Sequence, residues 1–229
     1  MQGGTPKSYI VSALLALGLV FSPKLEASTI TYDFDHTFTG VPPIGPTPWL
    51  TATLRDEVNG VQLSLAAPGL TGNEAVNQWF LNLNPALDPS KLVFTQTAEN
   101  NVSTPATVSA ASDAFKPNWD GKYDIMFNFR ASDGSSSFGA DSTMTFNITG
   151  IAGLKATDFL FFNTPTAGHA PLYAAANIQT VGEAVIIDSD PRILSEDAPV
   201  PDGGATALML GFGGLLVETV RRKFRMFCR

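Results

Sequence analysis

Apolar side chains recur at every second position along most of this chain, and that period fixes the kind of element it can build. Ile30, Tyr32 and Phe34 alternate with polar neighbours, as do Val61, Leu63 and Leu65, then Ile125, Phe127 and Phe129, then Met144, Phe146 and Ile148. Successive side chains of a strand point to opposite faces, so each run buries one face and wets the other. Turn-forming stretches separate the runs: residues 40–48 with four prolines, 56–60 (DEVNG), 84–89, Asn100-Asn101, Asp120-Gly121, 132–134 (SDG) and 163–168. About ten short strands with such spacing predict an all-β, antiparallel β-sandwich or jelly-roll-like single domain. Helical signals are few. Residues 71–74 (TGNE) would cap a short helix or shape a turn, and residues 171–176 (PLYAAA) suit one helical turn.

The two ends differ from this middle. Residues 9–21 (YIVSALLALGLVF) form an uncharged apolar run behind Lys7, and Leu25-Glu26-Ala27 puts a small residue before Ser28. That order predicts a signal peptide over 1–27, cut after Ala27. Its 13 apolar residues would make a helix of about 20 Å, short for a hydrocarbon core of about 30 Å. Residues 205–217 (ATALMLGFGGLLV) are a second apolar run, followed by the basic stop Arg221, Arg222 and Lys223 and then Arg225. Basic residues stay on the cytoplasmic side. A transmembrane helix over 205–220, about 24 Å long, would therefore cross once, with the preceding chain outside. The only cysteine is Cys228, so the exported part carries no disulfide and no lipidation site near the cut.

Charge follows the same division. Between Ser28 and Asp197 there are 18 Asp or Glu and 7 Lys or Arg, a net −11, whereas the residues after Val220 hold five basic and no acidic ones. Such a domain repels phosphate backbones, which argues against nucleic acid as a partner; cations suit it better. The domain is expected over 28–188, with a polar, proline-bearing tether over 189–199 (SDPRILSEDAP).

Val200, Pro201, Asp202, Gly203 and Gly204, then the apolar run, then Arg221-Arg222-Lys223, together resemble the PEP-CTERM class of sorting signals in its VPD variant. The resemblance implies recognition by an exosortase, a membrane-embedded transpeptidase-like enzyme that removes the tail and delivers the protein to the cell surface or an extracellular, biofilm-type matrix. Pro201 and the glycine pair suit it, since they keep the segment extended ahead of the bilayer. Residues 48–52 (PWLTA), 69–74 (GLTGNE), 79–85 (WFLNLNP), 120–125 (DGKYDI) and Gly168-His169 also resemble a recurrent domain of exported PEP-CTERM proteins. That second resemblance implies location and no particular chemistry.

Three kinds of chemistry remain open inside the domain. Asn118, Asp120 and Asp124 place hard oxygen ligands around Gly121 as in part of a calcium loop; a simple Asp-Gly hairpin turn explains the same residues. Asp33 and Asp35 would be further oxygens. Trp49, Trp79, Trp119 and Tyr123 raise extracellular polysaccharide as a partner, with Trp119, flanked by Asn118 and Asp120, the best exposed of them. Catalysis is the least supported class. The histidines available as general bases are His36 and His169, and neither G-x-S-x-G nor H-E-x-x-H occurs. The sequence therefore predicts a noncatalytic exported surface or matrix protein, with a carbohydrate- or calcium-binding module as the alternative and a glycosidase-like enzyme third.

Overall fold

The computed structural model describes residues 27–103, 106–117, 121–131, 136–166, 168–180 and 184–195. The expected signal peptide, sorting motif 200–204, transmembrane helix 205–220 and basic stop fall outside the described residues. So do Asn118, Trp119 and Asp120.

The described chain is all-β and antiparallel, as its period requires. Its strands are β1 (Ser28–Thr39), β2 (Leu50–Glu57), β3 (Gly60–Ala66), β4 (Ala75–Leu81), β5 (Val93–Val102) and β6 (Thr107–Phe115). They continue with β7 (Gly121–Asn128), β8 (Phe138–Thr149), β9 (Thr164–Pro165), β10 (Ala174–Gln179) and β11 (Ala184–Ser195). The helical elements among the described residues are two 3-10 turns, Pro89–Lys91 and Ala156–Phe159.

Where a sandwich would keep two sheets apart, hydrogen bonding here runs through one sheet in the order β5-β8-β3-β2-β1-β11-β10-β4-β7-β6. A further pairing of β4 with β8, Ala75 with Gly139 and Val76 with Phe138, joins the path to itself. Seven strands therefore close into a barrel. β5 continues outward from β8, and β7 and β6 from β4, as two flaps. The flaps touch through Phe94 of β5 and Phe127 of β7, ring centroids 5.6 Å apart at 88°.

The four alternating runs line the interior: Ile30, Tyr32, Phe34, Leu63, Leu65, Ile125, Phe127 and Ile148 are all buried. Trp79 sits among them at 0% exposure, edge-on to Phe34 at 5.0 Å and to Phe138 at 6.0 Å. Tyr32 reaches across the core to donate its hydroxyl to the Phe159 carbonyl at 2.6 Å, and burial pushes its phenol well above the ordinary tyrosine range. A smaller cluster of Phe80, Tyr123, Ala175 and Ile186 packs separately, with Phe38, Phe115 and Met126 against it.

Two expected features differ. Residues 189–195, assigned to a tether, continue β11, with Ser195 opposite Ser28 and Pro191 opposite Tyr32. β10 accompanies β11 only as far as Ser189, so Pro191 stands where β1 is the only described neighbour, the setting in which a strand tolerates proline. The expected helical turn at 171–176 is instead the approach to β10, whose Ala174, Ala175 and Ala176 are fully buried. Ala176 is the register partner of Trp79; a small side chain there leaves room for the indole, and burial outweighs alanine's helix preference.

Candidate functional site

The described chain begins and ends at one pole of the barrel, because Ser28 of β1 and Ser195 of β11 are register partners. The β2–β3 turn lies at the same pole. It takes two residues, Val58 and Asn59, between the partners Glu57 and Gly60. Gly60 has φ +154° and a Cβ there would stand 2.1 Å from the Ile148 carbonyl oxygen, so only glycine lets β3 approach β8 this closely.

Asp56 organises this pole. Its Oδ2 accepts the Ser28 backbone N–H at 3.1 Å and its Oδ1 accepts that of Ala156 at 2.6 Å. Asp158 extends the network, taking the Lys155 N–H at 3.0 Å and the Asn84 amide at 3.2 Å. Beside Asp56 opens a cleft of about 410 Å³ lined by residues 56–60 and 151–155. Its walls are mostly turn backbone, with Glu57 and Lys155 as its other charged side chains.

Asp124 is the one described member of the expected calcium loop. Each of its carboxylate oxygens already holds a backbone N–H, Oδ2 that of Leu83 at 3.0 Å and Oδ1 that of Asp113 at 2.8 Å. Asp113 has φ +52°, at the irregularity that interrupts the β6–β7 ladder between Ala110 and Phe115. Asp124 thus braces a bulge and the strand exit after β4. Among the described residues, no three His, Cys, Asp or Glu side chains converge as a metal site would need. Asp33 is paired with Arg192 at 2.8 Å, and Asp35 with His36 at 2.5 Å, on the exposed side of β1. The His169 ring packs against Phe38 with centroids 5.2 Å apart.

The aromatic candidates separate by burial. Trp79 and Tyr123 are fully buried, and Trp49 is 6% exposed with its indole N–H donated to the Gly45 carbonyl at 3.0 Å. None of the three offers a face to a ligand. An aromatic surface exists elsewhere: Phe162, 52% exposed, stacks on Tyr173 with centroids 4.0 Å apart and planes at 32°. Asn163 fixes this pair by exchanging two bonds with Leu172, its N–H to the Leu172 carbonyl and its Oδ1 from the Leu172 N–H, both 2.8 Å. Asn82 adds a bond to the Tyr173 carbonyl at 2.8 Å. Sequence reading passed over the pair because the partners lie in different turn-rich segments. The one available signal was the run of three phenylalanines at 159–162, too many for a strand that buries alternate residues.

The structure defines the protein as an antiparallel β-barrel with two flaps and a terminal pole organised by Asp56. Comparison with protein-family models, with curated proteins and with solved structures finds no match.

Proposed function

We propose that this chain is a noncatalytic exported surface or extracellular-matrix protein, carried out by its N-terminal signal, held by its C-terminal helix and released by an exosortase acting at Val200–Gly204. One observation carries the reading. The first strand begins at Ser28, the residue after the expected cut, and the last described strand ends at Ser195 beside it. Among the described residues the barrel closes within 28–195, and both ends of that span lie at one pole. The test is mass spectrometry of the protein recovered outside cells. The expected mature form begins at Ser28 and ends within or before residues 200–204; recovery of a C-terminus at Arg229 sinks the sorting proposal.

A second reading, a module for extracellular polysaccharide, is favoured by the Phe162–Tyr173 stack, since sugar faces pack on exposed aromatic rings. Glycan binding measured by affinity electrophoresis should fall at least about tenfold in Phe162→Ala, a loss of about 1.4 kcal/mol. Unchanged binding would remove the stack from the site and return attention to Trp119.

A further inference from the structure

At the terminal pole a single carboxylate joins three segments: Asp56 at the end of β2, Ser28 at the start of β1 and Ala156 opening the second 3-10 turn. In the unprocessed chain the Ser28 nitrogen is an amide and gives the Asp56 carboxylate one hydrogen bond from an uncharged donor. Hydrolysis of the Ala27–Ser28 bond by a signal peptidase adds one water across it. The acyl carbon departs as the Ala27 carboxylate, and the nitrogen stays on Ser28 and takes up a proton to become an ammonium. The geometry points to Asp56 as the receptor of that new ammonium, so that removal of the leader replaces a neutral donor by a charged one and makes the contact an ion pair without moving the strand. This rests on the export reading and adds to it a residue that registers processing.

The distances suit the exchange. Ser28 N lies 3.1 Å from Oδ2, while the other oxygen is held by the Ala156 N–H and keeps the carboxylate in place. Ser28 and Asp56 are both half-buried, which limits screening of the pair. The amide already gives the carboxylate a charge-assisted bond, and the ammonium adds the attraction of a full positive charge to it. The other charged groups around the terminus are Arg55 and Glu57 on either side of Asp56, and Lys155 ahead of Ala156. Arg55 is the register partner of Thr29. From β11, Ser195 stands opposite Ser28, and the nearest described charge, Arg192, is paired with Asp33. The carboxylate bonded to the terminus is that of Asp56.

The pH dependence has a definite sign. A terminal ammonium has an ordinary pKa of about 7.7–8.0, and a carboxylate partner raises it in the folded state. The added stability is therefore full below about pH 7.7 and is lost as pH rises through the raised value.

The experiment compares the chain beginning at Ser28 with the same chain keeping Ala27 ahead of it, after mass spectrometry has fixed the N-terminus of the exported protein. At pH 7 the Ser28 form should melt about 2–4 °C higher. That difference should vanish by about pH 9.5 and be absent in Asp56→Asn, which still offers Ala156 an acceptor. Equal melting at pH 7, or a difference that persists in Asp56→Asn, overturns the inference while leaving export intact. An exported protein that begins at another residue overturns the cleavage position and the inference together.

Discussion

Trp79→Ala is expected to remove about 3–5 kcal/mol of stability, the range for truncating a buried large aromatic. The indole is fully buried and meets Phe34 and Phe138 edge-on, so its removal empties the contact between β1, β4 and β8 at the point where the barrel closes. Its register partners are Ala176 on one side and Phe127 on the other. Alanine cannot collapse inward, and Phe127 is already held by Phe94 and Phe146. The site therefore cannot relax cheaply. Trp79→Phe should cost less than half as much. The indole Nε1 is buried with no hydrogen-bond partner among the described residues, and phenylalanine removes that unpaired donor while keeping most of the surface. Urea unfolding followed by near-ultraviolet circular dichroism would measure both. If Trp79→Ala shifts the midpoint by less than 1 kcal/mol equivalent, the interior repacks more freely than its ring geometry implies.

At the opposite pole, Glu74→Leu is expected to cost about 2–4 kcal/mol through orphaned donors. Glu74 is 2% exposed, and its carboxylate accepts the Ile44 N–H at 2.8 Å, the Thr71 N–H at 2.9 Å and the Thr71 hydroxyl at 3.3 Å. It therefore ties the proline-rich loop before β2 to the turn before β4. Leucine fits the space and satisfies none of the three donors. Glu74→Gln retains one carbonyl acceptor and should lose roughly half as much. Hydrogen exchange would locate the effect: the Ile44 and Thr71 amides should lose protection first, while the amides of β1 and β11 keep theirs. Uniform loss across the barrel would mean that Glu74 supports the core rather than the loop.

What was legible in the sequence was whatever buries one face at a time. The alternating runs at Ile30, Val61, Ile125 and Met144 became β1, β3, β7 and β8, with those residues inside. Residues 71–74 read equally as a helix cap or a turn, and Glu74 returning to Thr71 makes them a turn. β6 and β10 were harder to see. β6 (TVSAASDAF) is a flap strand with small, half-exposed residues, and β10 (AAANIQ) is buried through alanines, so neither shows contrast between faces. β11 was cut short in the reading because Pro191 breaks most strands, and only knowledge of its neighbours reveals that the position faces a single partner. Closure of the sheet was beyond any local signal. It depends on the pairing of Ala75 and Val76 with Gly139 and Phe138, residues that no spacing rule connects. The candidate site was legible only by residue type. Buried Trp79 and exposed Phe162 are both aromatic, and three-dimensional neighbours alone separate them.

The pairing of the first strand with the last also sets a timetable. β1 lies between β2 and β11, so a chain that emerges N-terminus first, from a ribosome or through a membrane, can build the β1–β2–β3 meander early but leaves one edge of β1 unfilled. That edge waits for residues 184–195. Loop-closure entropy makes so distant a partner slow to arrive. The barrel therefore stays open until that strand is available, and it seals only when residues 184–195 pair with β1.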